Sequence, residues 1–149
     1  MTAKADFTED EWTTVLQAPP TAALIVITAQ KGGTFRETLA MGKAYAEARQ
    51  QHGESELLDE IVSAKPEVDH RRYRSADELR EHGLQHLRDA VELLQRKAAP
   101  DEVEGYRRFV LTLVEKVAGA HREDGVAVSP AEQTAIDEIS ASLAGPDHP

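Results

Sequence analysis

Four segments of this chain carry the hydrogen-bonding pattern with which α-helices begin. In each, a serine or threonine is followed three residues later by a glutamate: Thr8 and Glu11, Thr34 and Glu37, Ser75 and Glu78, Ser129 and Glu132. In such a capping box the hydroxyl accepts the N–H of the glutamate, whose carboxylate accepts the first residue's own N–H. Phe7 and Trp12 occupy the positions of a hydrophobic staple around the first box, and Pro130 follows Ser129, a place that favours proline. Helix is therefore the expected state of most of the chain.

Apolar periodicity and chain-breaking residues predict seven helical segments, at 8–17, 21–30, 34–51, 54–64, 75–98, 101–121 and 129–143. Pro19 and Pro20 are expected to end the first segment. Segment 21–30 has a β-branched apolar run that also suits a buried strand, but the chain offers no second strand-like segment to pair with it. We therefore expect an all-α bundle of six or seven helices in a single domain, 1–149, with frayed tails at 1–6 and 145–149.

Two of these segments have faces that predict how the bundle packs. Segment 101–121 is apolar over much more than the roughly 100° stripe of a surface helix, so we expect it to lie centrally among the others. Segment 34–51 carries small residues between Ala40 and Ala48, which let a neighbouring backbone come close. The same small-residue face is the candidate surface for a protein partner.

Composition limits the classes of function. The chain has no cysteine and a formal net charge of −10 at pH 7. Thiolate chemistry and disulfides are therefore excluded, and a cytoplasmic location is expected. Negative charge of this size repels phosphate backbones, so we expect no nucleic-acid partner. The longest apolar run, 22–27, is far shorter than a membrane span, and we expect no membrane insertion.

Two stretches of the chain look alike and indicate an internal helix-turn-helix repeat. In the first, Ala29 to Gly33 precede the capping box at Thr34, and in the second, Ala120 to Gly125 precede the box at Ser129. In both, a buried helix ends, a glycine-containing loop turns and a capped helix begins. The alternative is that the two stretches are unrelated, because any two helix-turn-helix units share such turn and capping residues.

The second unit resembles the tellurite-resistance TerB-like family. The residues that carry the resemblance are Val117-Ala118, Arg122-Glu123-Asp124-Gly125, Ser129-Pro130-Ala131-Glu132 and the segment from Ile136 to Leu143. It covers residues 110–144 well and residues 20–50 faintly. The resemblance implies an all-helical fold and a divalent-metal site at the turn, with Asp124 and Glu132 at the matching positions. The first unit departs from the family pattern, because Gly32-Gly33 stands where an Asp-Gly would be expected.

Two sets of side chains are candidates for holding a metal ion. Glu123 accompanies Asp124 and Glu132 at the turn, and Glu37 could join them across the repeat; carboxylates of this kind suit Ca²⁺ or Mg²⁺. The alternative is that Asp124-Gly125 only forms a turn and that the glutamates only cap helices. His82 and His86 lie one helical turn apart and could share a Zn²⁺ ion, although histidines on a helix flank are common without one.

No pattern of a catalytic site is found in the sequence. A nucleophile elbow, a phosphate-binding glycine loop and a dinucleotide fingerprint are all missing, so we expect no enzymatic activity. We expect instead a binding or scaffold protein of a stress-response type, with a protein partner that can be a second copy of the chain. The alternative is a divalent-metal-responsive protein that uses the Asp124 and Glu132 turn.

Overall fold

A computed structural model of the chain describes residues 6–29, 34–50, 56–63, 75–123 and 130–144. These residues form six packed α-helices and no strand, which confirms the all-α prediction. The helices are α1 (Glu9–Ala29), α2 (Thr34–Gln50), α3 (Glu56–Ser63), α4 (Ala76–Lys97), α5 (Pro100–Glu123) and α6 (Pro130–Ala144). None of these helices combines the length and the apolarity that crossing a membrane requires. The predicted tails lie outside the described residues, except for Asp6.

The start of α1 confirms the first capping box. Thr8 Oγ1 accepts the N–H of Glu11 at 3.2 Å, and Glu11 Oε1 accepts the N–H of Thr8 at 2.8 Å. The rings of Phe7 and Trp12 meet with their centroids 5.6 Å apart, as a hydrophobic staple requires. Lys97 of α4 lies 2.7 Å from Glu11 Oε1, and this contact is the main reason that the pKa of Glu11 is lowered.

The other helix starts vary in how they are capped. At α4, Ser75 Oγ accepts the N–H of Glu78 at 3.1 Å, as predicted. Helix α5 begins one residue earlier than expected. Glu102 Oε1 accepts the N–H of Ala99 at 3.1 Å, which is one half of a capping box. The other half is absent, because alanine has no side-chain hydroxyl to accept the N–H of Glu102. The side chains of the boxes predicted at 34–37 and 129–132 lie outside the described residues, although α6 does begin at Pro130.

The prediction that Pro19 and Pro20 end a helix is wrong, because α1 runs through both prolines. Segments 8–17 and 21–30 are therefore one helix, and the choice of helix over strand for the second is confirmed as far as Ala29. A proline inside a helix cannot donate to the carbonyl four residues earlier, which for Pro19 is that of Val15. Here the Tyr106 hydroxyl of α5 donates to that carbonyl at 2.8 Å, so the lost hydrogen bond is replaced from a neighbouring helix.

Helix α5 is the centre of the bundle, as its apolar surface predicts. It packs against each of the other five helices. The residues that give it this apolar surface are all buried, namely Val103, Tyr106, Phe109, Val110, Leu113, Val114 and Val117. Helix α2 lies along one side of α5, and the short α3 packs against both of them. Helices α1, α4 and α6 pack together on the rest of the surface of α5.

The contact between α1 and α4 depends on a glycine. A Cβ atom placed on Gly83 would lie 2.7 Å from Ile25 Cδ1 and 3.1 Å from Thr21 Cγ2. Gly42, Gly105 and Gly119 differ, because a Cβ atom there would meet nothing within 4 Å. Gly83 therefore allows the two helices to approach, whereas the other three leave open space.

Arginines from neighbouring helices cap the C-terminal ends of α3 and α6. Arg49 of α2 donates from Nε to the Val62 carbonyl at 2.6 Å, and Arg107 of α5 donates from Nε to the Leu143 carbonyl at 2.6 Å. Neither α3 nor α6 has a basic residue in its own last turn. The two arginines supply the positive charge that stabilises a helix C-terminus and fix α3 to α2 and α6 to α5.

Two tyrosines are buried in the core and differ in their hydrogen bonding. Tyr106 is 1% exposed and donates to Val15, as described above. Tyr45 of α2 is equally buried, and its ring meets that of Phe109 edge-on at a centroid distance of 5.2 Å. Its hydroxyl has no hydrogen-bond partner in the described part of the chain. Burial raises the pKa of both phenols above the usual value of 10.

We expect these tyrosines to make the fold sensitive to alkali. Below about pH 10 both phenols are neutral in the folded and unfolded states, so they add no pH dependence. Above it the unfolded chain releases the protons that the folded chain retains, and the free energy of unfolding falls by up to about 1.4 kcal/mol per pH unit for each tyrosine. Denaturant unfolding from about pH 9 to 11 should show this slope, and the double variant Tyr45→Phe/Tyr106→Phe should lose it. An unchanged slope in that variant would show that other groups govern alkaline unfolding.

Candidate binding groove

The predicted metal site at the 124–125 turn falls largely outside the described residues. Asp124 itself is not described. Glu37, Glu123 and Glu132 lie in α2, α5 and α6, but the positions of their side chains are not described. Among the side chains that are described, no group of three or more potential ligands could hold a metal ion. The carboxylate site therefore stays a prediction.

The histidine pair of α4 is described, and one member has a structural role. His86 is half-buried, and its Nε2 donates to the Thr14 carbonyl of α1 at 2.9 Å. His82 is exposed one turn earlier on the same helix. The hydrogen bond to Thr14 occupies one of the two ring nitrogens through which a histidine can bind metal. Thr14 directly precedes Val15, whose carbonyl has no helical donor because of Pro19. His86 thus supports the proline-containing part of α1.

An open groove lies between α2, α3 and α5, where about 660 Å³ is free of protein atoms, part of it open solvent. Its floor is apolar and comes from Phe109 of α5, which is 8% exposed, and from the fully buried Leu113, with Ala44 and Ala48 of α2 at one side. Gly105 stands one helical turn before Phe109 and lines the groove without adding a side chain. The groove exists because small residues face each other across α2 and α5 where larger ones would fill the space.

The rim of the groove is polar and charged. Lys116 of α5 donates to Glu47 of α2, and this ion pair joins the two helices across the groove. The hydrogen bond from Lys116 is the main reason that the pKa of Glu47 is lowered. Because both side chains are about two-fifths exposed, the pair adds little to stability. Asp59 lies on the α3 side, and Arg108 and Thr112 are exposed on the α5 side.

Two residues of the predicted small-residue face of α2, Ala44 and Ala48, line this groove. Ala44 is buried, Ala48 is half-buried in the groove wall and Ala46 is exposed, while the Ala40 side chain is not described. Across the described side chains, every Leu, Ile, Val, Phe, Trp and Met is buried or half-buried. The described surface thus offers a recessed apolar site in place of a flat apolar patch.

The sequence contained an unused indication of the α5 side of the groove. Gly105, Arg108, Phe109, Thr112 and Lys116 recur at helical spacing and so share one face of α5. A face that mixes glycine, threonine and two cations with one aromatic residue differs from the aliphatic remainder of this helix. The apolar pattern of segment 101–121 predicts burial for Phe109, and that pattern alone does not predict a groove beside it.

No protein family, curated protein or solved structure matches this chain.

Proposed function

We propose that this chain is a non-catalytic binding protein of the cytoplasm, TerB-like in fold and of a stress-response type, whose groove receives a segment of a partner protein. The observation that supports this proposal is the apolar floor at Phe109 and Leu113, bounded by a polar rim. Apolar centres with polar rims, enriched in aromatic residues and arginine, are typical of protein–protein interfaces. Small residues at Ala48 and Gly105 leave room for an incoming side chain.

The openness of the groove favours a protein segment over a small molecule. Small-molecule sites usually enclose most of the surface of their ligand. Here Arg108, Thr112 and Lys116 on the α5 side are all exposed, so a small ligand on the floor would remain in contact with water. A partner protein covers the mouth with its own surface and can place one apolar side chain on the floor.

A second copy of the chain is the less favoured occupant. Insertion into the groove needs an apolar side chain that projects from a surface, and the described part of the chain exposes no Leu, Ile, Val, Phe, Trp or Met. A different protein with an exposed apolar anchor fits the groove better than the described surface of this chain does.

Site-specific crosslinking tests this proposal. A photoreactive amino acid at Thr112, on the rim, should capture a defined partner in cells, whereas one at the exposed Thr134 of α6 should not. The captured protein is then purified, and its affinity is measured for the wild-type chain and for Gly105→Leu, which fills the groove. We expect at least about a fivefold loss, because loss of a buried interface anchor costs more than about 1 kcal/mol.

The matched control is Gly42→Leu, in an exposed position of α2 with open space around it. It should leave the affinity unchanged, and circular dichroism should show both variants folded. Equal capture from Thr112 and Thr134, or binding that Gly105→Leu leaves intact, would show that the groove is not the interface.

A further inference from the structure

The charges around the groove differ in whether they already have partners. Lys116 and Glu47 neutralise each other in their ion pair, and Asp59 also has an interaction partner. Arg108 lines the same groove, is exposed, and forms no hydrogen bond or ion pair within the part of the chain that the structure describes. The chain has a net charge of −10, so acidic side chains are abundant. Arg108 nevertheless has no acidic partner among the described residues, and its positive charge beside the apolar floor is therefore available to a ligand.

The chemistry of this arginine defines the group that it would bind. A guanidinium keeps its charge at every accessible pH and presents paired N–H donors that match the two oxygens of a carboxylate. Thr112, one turn further along α5 and also in the groove lining, exposes a hydroxyl that can donate to the same anion. Phe109, next to Arg108 in the chain, supplies the apolar floor beside this polar edge.

From this juxtaposition we infer that the groove selects partner segments in which an apolar anchor residue stands next to an aspartate or glutamate. The apolar side chain occupies the floor over Phe109 and Leu113, and the carboxylate pairs with Arg108 at the rim. This inference rests on the proposed function, because it specifies the chemistry of the partner that enters the groove. A basic segment is the poorer match, since both acids of the rim, Glu47 and Asp59, are already engaged.

Selection from a peptide library tests the inference. Random dodecapeptides displayed on phage are selected on the immobilised full-length chain and counter-selected on Gly105→Leu, so that only groove-dependent binders are kept. The recovered peptides should pair a leucine, phenylalanine or tryptophan with a neighbouring aspartate or glutamate. Synthetic copies should bind about fivefold to tenfold more weakly to Arg108→Glu, since an attraction is replaced by a repulsion, and more weakly as salt is raised.

The charge-reversed variant also provides the decisive comparison. A fresh selection on Arg108→Glu should recover lysine or arginine beside the apolar anchor, and circular dichroism should show the variant folded. Two outcomes would overturn the inference and leave the proposed function standing. In the first, the groove-dependent peptides show no preference for aspartate or glutamate. In the second, the wild-type chain and Arg108→Glu select peptides with the same acidic preference. If no selected peptide depends on Gly105, both the inference and the proposed function fail. The small molecule 4-phenylbutyrate, which joins an apolar ring to a carboxylate, is measured in parallel. If it binds as tightly as the peptides, the assignment of the groove to a protein segment is overturned.

Discussion

Tyr106→Phe should lower the free energy of unfolding by about 1–3 kcal/mol, although it removes a single oxygen atom. The reason is the Val15 carbonyl, which has lost the N–H of residue 19 to proline and accepts the Tyr106 hydroxyl instead. Removing the donor leaves a buried acceptor without a partner, and its desolvation is then uncompensated. Chemical denaturation near neutral pH measures the change directly.

Tyr45→Phe is the matched control, because it removes the same atom from an equally buried ring. Its hydroxyl has no partner in the described residues, so this change should leave stability unchanged or raise it by up to about 1 kcal/mol. A second control is Pro19→Ala, which restores an N–H four residues after Val15. In that background Tyr106→Phe should cost much less than in the wild type. Equal costs in both backgrounds would show that the proline does not create the need for the tyrosine.

Gly83→Ala should destabilise the protein by about 1–2 kcal/mol, even though alanine is the better helix former. The added methyl group would lie 2.7 Å from Ile25 Cδ1, so α1 and α4 must separate or Ile25 must change rotamer. Gly119→Ala, at a position of α5 with open space, should gain up to about 1 kcal/mol. The two variants should therefore differ by about 1–3 kcal/mol in urea unfolding.

Ile25→Val removes the crowded Cδ1 atom and tests whether this atom causes the destabilisation by Gly83→Ala. In the wild type this truncation should cost about 0.5–1.5 kcal/mol, because it leaves a small cavity. Combined with Gly83→Ala it should cost nothing or restore stability, which gives a coupling of about 1 kcal/mol between the two sites. Additive effects would indicate that the contact with Ile25 is not what limits residue 83.

The helices could be predicted to within a few residues because their signals are local. Thr8 with Glu11, and Ser75 with Glu78, define helix starts through contacts three residues apart. The continuity of α1 through Pro19 could not be predicted in this way. It depends on a hydroxyl that is 91 residues further along the chain, at Tyr106. Local propensity assigns a break there, and a tertiary hydrogen bond overrides it.

The groove was predictable only in parts. The apolar pattern of α5 correctly placed Phe109 and Leu113 inside the bundle. Whether a neighbour fills the space above Phe109 depends on how α2 and α3 pack against it, and no local pattern of the sequence encodes that distance. That Arg108 forms no ion pair with the described residues is likewise a property of the assembled surface. The carboxylates at 123, 124 and 132 stay a prediction, because their side chains lie outside the described residues.

Helix α3 has eight residues, fewer than the roughly 12–15 that an isolated helix needs to be stable in water. Its order therefore depends on α2 and α5, in part through the hydrogen bond from Arg49 to Val62. Because Asp59 of α3 forms one wall of the groove, a ligand that binds against this wall favours the ordered helix. Linkage is reciprocal, so any change that holds α3 in place must also tighten binding. Under the proposed function, the affinity of the groove for its partner would thus depend on the local folding equilibrium of α3.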